Sequence, residues 1–178
     1  MKKAIFYIVI TSIIGLISGC DLVPNTLVLD SPALLVEDAK RRVMEVEVTD
    51  FKTMIDREEY FILIDVRTEN EHDAGYIPGS VLIPRGLVEF RIANENFWED
   101  EGMYVPEKTD LLIIYCKSGN RSALAADALR SMGYKNILSL MGGWKAWKAT
   151  YPENIEKNAA PSFIAPSDTE EEKDDSSC

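Results

Sequence analysis

Apolar and polar positions along this chain fall into short blocks whose spacing alternates between the strand period and the helix period. Phe61 to Ile64 and Leu111 to Tyr115 are continuous apolar runs of strand length, the pattern of strands covered on both faces. Val43 to Val48 alternates apolar and acidic residues and predicts another strand, and Val81 to Ile83 and Ile137 to Leu140 supply two short ones. Helical patterns lie between them. Ser31-Pro32 followed by Ala33 to Arg42 offers an N-cap, a proline in the first turn and helical spacing of Leu34, Leu35 and Val43. Thr49 is placed to cap a helix through Phe51, Met54 and Ile55. Ser122 to Met132 is rich in Ala and Leu, and Gly143 to Ala149 closes the pattern. Strands alternating with helices predict an α/β fold, a central and mainly parallel sheet of about five strands flanked by helices on both faces.

The two ends of the chain break this pattern. Lys2 and Lys3 form a basic start, Ala4 to Ile17 is almost wholly apolar, and small residues follow at Ser18 and Gly19, which reads as an export signal. The run is shorter than the roughly 20 apolar residues a membrane-spanning helix needs. Its ending, Ile17-Ser18-Gly19-Cys20, resembles the lipobox of bacterial envelope lipoproteins. That resemblance implies acylation of Cys20 and a protein tethered to a membrane, facing the periplasm or the exterior. At the other end, Ala159 to Cys178 carries Pro161, Pro166, several serines and the acidic run Asp168 to Asp175, whose only cation is Lys173. Such a composition buries too little apolar surface to offset chain entropy and predicts disorder. The expected organisation is a signal peptide over 1–19, an anchored stalk with a short helix over 20–43, one folded domain over 44–152 and an acidic tail over 153–178.

Charge narrows the possible partners. The chain has 19 Lys and Arg against 30 Asp and Glu, a net charge of −11, which argues against nucleic acid, since phosphate binding needs clustered cations. One histidine and three scattered cysteines lack the spacing of metal ligands, so neither a metal nor a cofactor is expected.

Candidate chemistry gathers where two strands end, the usual place for sites in open α/β sheets. Asp65 follows Phe61 to Ile64, and Cys116 follows Leu111 to Tyr115. The loop Cys116-Lys117-Ser118-Gly119-Asn120-Arg121 runs into a helix beginning near Ser122, so its backbone N–H groups can converge above the Cys116 sulfur. Gly119 supplies a conformation that other residues avoid. Such a nest at a helix N-terminus is an anion site, and Lys117 and Arg121 add positive charge. The loop thereby favours an ionised, nucleophilic sulfur without a histidine base, provided that the sulfur lies within reach of solvent. Trp144 and Trp147, at helical spacing, are read as core, and Gly142 and Gly143 let the last strand turn close beside the loop. Gly86 to Thr109, rich in acids and in aromatics (Phe90, Phe97, Trp98, Tyr104), is either a docking surface or a further helix covering the sheet. Cys178 is either incidental or a resolving thiol that folds back on Cys116.

Three stretches, LIDVRTENEHDAGYIPGS (Leu63 to Ser80), YCKSGNRS (Tyr115 to Ser122) and MGGWKAW (Met141 to Trp147), resemble in order and spacing the signatures of single-domain rhodaneses, the thiosulfate sulfurtransferases. The resemblance implies the rhodanese-like fold, and sulfane sulfur moving from a donor such as thiosulfate to cyanide or a thiol through a Cys116 persulfide. It makes Cys116 the catalytic residue and Lys117, Ser118, Gly119, Asn120, Arg121 and Ser122 the substrate-binding loop. It further implies that Asp65 accepts hydrogen bonds from the loop, that Arg67 pairs with nearby carboxylates, and that His72 serves structure. Phosphatases of the same fold place five residues between cysteine and arginine; here four separate Cys116 from Arg121, a cradle better suited to a persulfide than to phosphate. A different class of function is a binding or sulfur-carrier module that delivers sulfur to a protein acceptor within an envelope complex.

Overall fold

A computed structural model describes residues 29–158. The signal segment with Cys20, the acidic run and Cys178 lie outside them. No helix among the described residues is long and apolar enough to cross a membrane.

The first helix, α1 (Pro32–Lys40), begins as its sequence dictates: Ser31 is the N-cap, its side chain accepts the Leu34 N–H, and Pro32 occupies the first turn. It is followed by β1 (Met44–Val46), α2 (Val48–Asp56), β2 (Ile62–Asp65), α3 (Glu69–Asp73) and β3 (Ser80–Leu82). A 3₁₀ turn (Arg85–Leu87), α4 (Val88–Arg91) and α5 (Glu95–Asp100) lead to β4 (Leu111–Tyr115), α6 (Asn120–Ser131), β5 (Asn136–Leu140) and α7 (Gly143–Thr150). The expected strand over Val43 to Val48 is shorter. Val48 instead opens α2, with Glu47 rather than Thr49 as its N-cap. The reason is spacing: Val48, Phe51 and Ile55 form one apolar stripe that packs against the sheet.

All five strands pair in parallel, in the order β1-β5-β4-β2-β3. Successive side chains point to opposite faces, so each central strand feeds two cores. Ile62, Ile64, Leu112 and Ile114 face a layer built from Ala125, Ala126 and Leu129 of α6, with Val88, Ile92 and Trp98 beside it. Leu63, Ile113 and Tyr115 face Phe51 of α2 and Trp147 of α7. Each such fully buried apolar side chain contributes on the order of 1.5–3 kcal/mol. The stretch Gly86 to Thr109 therefore resolves toward cover rather than an open surface: Val88, Ile92 and Trp98 are fully buried, and Trp98 also donates its indole N–H to the Ile92 carbonyl at 3.0 Å. Leu87, Phe90 and Tyr104 are its exposed large apolar side chains.

α1 packs on α6. Arg42, just beyond α1, reaches both carboxylate oxygens of Asp127 on α6 at 2.8 and 2.7 Å and also pairs with Asp38. At its other end the chain returns past α3, where Tyr76 and Glu156 form an antiparallel bridge. From β2 the chain moves outward to β3, whereas from β4 it moves the opposite way to β5, so the carboxyl ends of β2 and β4 flank a topological switch point. Asp65 pairs with Tyr115 in register there, and Cys116 is the next residue.

Candidate active site

Cys116 leaves β4 and the chain turns at once into α6, whose N-cap is Gly119 at φ +93°. That left-handed conformation disfavours any residue with a Cβ. It aims the Gly119 N–H back at the Cys116 sulfur, 3.2 Å away. The Ser122 hydroxyl approaches the same sulfur at 3.6 Å and sits 2.9 Å from the Ser139 hydroxyl on β5.

The outer edge of the loop is held by the start of α7. Trp144 donates its N–H to the Cys116 carbonyl at 2.7 Å and Lys145 to the Lys117 carbonyl at 3.1 Å. This close approach requires Gly143, because a Cβ there would lie 2.3 Å from the Cys116 oxygen and 3.0 Å from the Ser118 nitrogen. With these carbonyls tied to α7, the Gly119 N–H is the loop donor that faces the sulfur. Among the described residues, the N–H groups of Lys117, Ser118, Asn120, Arg121 and Ser122 have no protein acceptor. Such a set of unpaired donors at a helix N-terminus suits an anion.

Arg121 departs from its expected part. Its guanidinium is held by both carboxylate oxygens of Glu71, at 2.7 and 2.8 Å, so it is an ion-paired strut rather than a free cation over the sulfur. Glu71 also caps α3 by accepting the Thr68 N–H, and the Arg121 bond holds its carboxyl down at about 2. Lys117 is exposed and lines an outer groove with Trp144, Lys145 and Lys148.

Asp65 also differs. No donor from Cys116 to Ser122 reaches it among the described residues; it accepts from the Arg67 backbone N–H at 2.9 Å, from the Arg67 guanidinium at 2.6 and 2.9 Å, and from His72 Nδ1 at 2.9 Å. The cause is reach. Asp65 is fully buried beside Arg67, itself 2 % exposed, and an arginine two residues on satisfies the carboxylate before the loop can. Burial alone pushes the Asp65 carboxyl up, but the bonds from His72 and Arg67 outweigh it and hold the group below the usual carboxylate range. Arg67 also donates to the carbonyls of Glu71 and Gly75 and lies 4.7 Å from the centre of the Trp144 ring. His72 stacks on Tyr76 at 4.1 Å between ring centres, a structural position. The influence of Asp65 on the loop thus runs through Arg67 to Trp144, the residue that holds the Cys116 carbonyl.

The sulfur was expected within reach of solvent, yet Cys116 is 1 % exposed and counts with the apolar core. Cys116 packs in the apolar cluster of β2, β4 and α6, and the Gly119 N–H and the Ser122 hydroxyl stand against its sulfur. Sequence reasoning missed Ser139, Glu71 and the role of Trp144. Thr68-x-x-Glu71, a capping-box pattern, was the available signal for Glu71; nothing in the pattern singled out Ser139. Among the described residues no cluster of His, Cys, Asp and Glu can hold a metal ion.

The model of the Rhodanese-like domain matches residues 47–150. The chain belongs to the rhodanese-like family. It is 39% identical over 88 residues to a candidate mitochondrial thiosulfate sulfurtransferase of Schizosaccharomyces pombe, covering 48% of this chain and 62% of that one, less than two thirds of its length. Identity to a thiosulfate sulfurtransferase of Pseudoalteromonas translucida is 29% over 104 residues, 58% of this chain and 88% of that protein. The human single-domain sulfurtransferase TSTD1 superposes with a TM-score of 0.55 at 27% identity, covering 59% of this chain and 95% of that structure. The five-stranded sheet and its flanking helices are accordingly the rhodanese-like fold. Helix α1 and the Arg42 clamp lie before the matched residues.

Proposed function

We propose that this protein is a sulfurtransferase that moves sulfane sulfur from a small anionic donor such as thiosulfate to cyanide or a thiol, with Cys116 as nucleophile and persulfide carrier. The observation that carries this reading is the polarity of the loop: the carbonyls of Cys116 and Lys117 turn outward to α7, while the Gly119 N–H points at the sulfur. The same loop has four residues between Cys116 and Arg121, which leaves a small cradle.

In the first half-reaction the Cys116 thiolate attacks the outer sulfur of thiosulfate. The donor's S–S bond breaks and sulfite departs with the bonding pair. The new terminal sulfur carries one negative charge and meets the inward N–H groups of the loop, as a developing anion should. In the second half-reaction cyanide or a thiolate attacks that terminal sulfur, the Cys116 S–S bond breaks, and the thiolate returns. Charge is conserved in both steps, and neither needs a base because each nucleophile enters ionised. Kinetics are ping-pong.

The test is to incubate the full chain with thiosulfate, weigh it intact, and then add cyanide. A gain of one sulfur that disappears as thiocyanate forms, and that is absent in Cys116→Ser, is the expected result. A gain that persists in Cys116→Ser overturns the assignment.

A second reading, sulfur delivery to a protein acceptor, draws on the outer groove of about 490 Å³ between Lys117, Trp144, Lys145 and Lys148. None of the three lysines has an ion-pair partner among the described residues, and they concentrate positive charge beside the loop of an acidic chain. This surface suits an acidic acceptor. Transfer to such a protein thiol then falls with salt and in Lys145→Glu, while transfer to cyanide does not.

Anchoring through Cys20 in a bacterial envelope rests on residues 1–20 alone. Acyl labelling of the protein in a bacterial host, lost in Cys20→Ser, is the corresponding outcome.

A further inference from the structure

We infer that Ser139 is a positioning residue for the Cys116 sulfur, acting through Ser122; the inference rests on Cys116 being the sulfur carrier. Ser139 lies on β5, paired in register with Ile114 of β4, and its side chain is fully buried. A hydroxyl buried without a partner is costly. Its one side-chain partner among the described residues is the Ser122 hydroxyl, 2.9 Å away, and Ser122 is fully buried as well. Ser122 in turn stands 3.6 Å from the sulfur.

The proton count fixes the direction of this chain. An ionised sulfur can only accept, so the single Ser122 hydroxyl proton goes to it. The Ser122–Ser139 contact is then satisfied only if Ser139 donates. The order is Ser139 O–H to Ser122 oxygen, then Ser122 O–H to sulfur, and a donor that itself accepts a hydrogen bond is the stronger for it. Without Ser139, the Ser122 hydroxyl is free to turn back to the Ser118 carbonyl one helical turn earlier, the usual alternative for a serine in a helix. The bond to sulfur matters most when the negative charge is on the inner sulfur, which is the leaving group as the persulfide is consumed. When the persulfide stands, the charge has moved to the outer sulfur and the pair contributes less.

The experiment compares Ser139→Ala, Ser122→Ala and the double variant as full chains. Intact mass after thiosulfate follows loading, and thiocyanate release after cyanide follows unloading. A hydrogen bond to a charged group contributes roughly 1.5–3 kcal/mol, so Ser122→Ala is expected to slow unloading about tenfold or more, and Ser139→Ala, which removes the bond behind it, to slow unloading by a smaller factor. The double variant is expected to be no slower than Ser122→Ala, and Ser139→Thr, which keeps the donor, to recover rate over Ser139→Ala. Unloading at the wild-type rate in Ser139→Ala, or a double variant slowed by the product of the two single effects, overturns the inference. Either result leaves sulfur loading on Cys116 untouched, whereas loading that survives Cys116→Ser removes the reading beneath it.

Discussion

The backbone N–H of Trp144 meets the Cys116 carbonyl at 2.7 Å, and the residue that makes room for this contact is Gly143. A methyl at 143 would collide with the Cys116 oxygen, at a backbone φ of +57° that residues with a Cβ avoid. Gly143→Ala is therefore expected to push the loop off α7, with the outward carbonyls and inward N–H groups lost together. Stability falls by about 1–3 kcal/mol, and thiocyanate formation drops far more than that loss of folded protein explains. Urea unfolding beside the rate assay at a temperature where the variant is folded checks this. A variant with wild-type kinetics sinks the view that α7 shapes the loop.

Asp65 and Arg67 form a buried pair at 2.6 Å, with the guanidinium also held by the carbonyls of Glu71 and Gly75. Removing one partner leaves the other charged and desolvated. Asp65→Ala is expected to cost about 3–5 kcal/mol, while Asp65→Leu combined with Arg67→Met costs less than Asp65→Ala, because no lone charge remains. Denaturant midpoints of wild type, Asp65→Ala and the double variant decide the matter. A double variant as unstable as Asp65→Ala, or more so, contradicts the assignment of the pair as a coupled unit.

Glu71 gives a pH prediction with a definite sign. Its carboxyl is held at about 2 by Arg121, below its ordinary 4.5. A carboxyl lowered by folding stabilises the native state above its unfolded pKa and loses that contribution as pH falls toward its folded pKa. The stability gap between wild type and Glu71→Gln should thus be constant above about pH 5 and close progressively between 4.5 and about 2. The gap itself is small, since both side chains are about one third exposed and water and salt screen them. Urea midpoints across that range measure it, and a gap that widens on acidification rules the linkage out.

The fold was legible because Ile62 to Ile64 and Leu111 to Tyr115 leave a strand little freedom: both are runs buried on two faces, and a parallel sheet is what such runs build. The Cys116 loop was legible for the same local reason, glycine and N–H groups at a strand-to-helix turn. What the sequence hid is long-range. Arg121 looks like a free cation until Glu71, fifty positions away in the chain, is brought against it, and Ser139 is one more polar residue in a strand until β5 places it behind α6. Exposure of Cys116 was hidden too, since closure over the sulfur depends on how tightly α7 draws in the loop. Val48 was misread because one apolar residue at a boundary fits an alternating strand as well as the first turn of a helix.

Trp98 tests the segment between β3 and β4. It is fully buried and tied to the Ile92 carbonyl, so it covers the sheet. Trp98→Ala is expected to destabilise the protein by about 3–5 kcal/mol. Tyr104→Ala, at a position 94% exposed, should leave stability within about 0.5 kcal/mol. A loss of binding to any acceptor protein in Tyr104→Ala without loss of stability would return a docking role to the segment, whereas equal, small effects of both changes would contradict its place in the core.

Cys116 is 1 % exposed, and reactivity must therefore depend on the size of the reagent as well as on the sulfur. Thiosulfate is small and anionic and has only to bring one sulfur to a loop whose N–H donors largely lack a protein acceptor among the described residues. A bulky neutral reagent meets the closed loop and gains nothing from those donors. In the native protein a small haloacetamide is expected to alkylate Cys116 faster than a large maleimide does, after correction for their rates with a free thiol, and prior loading with thiosulfate should move the label to the outer sulfur, giving adducts heavier by one sulfur. In denaturant the size effect should vanish, because it belongs to the folded loop and not to the cysteine. Intact-mass time courses with the two reagents, native and denatured, supply the comparison. If the corrected ratio is the same in both states, the loop does not close over the sulfur in solution, and access is governed elsewhere.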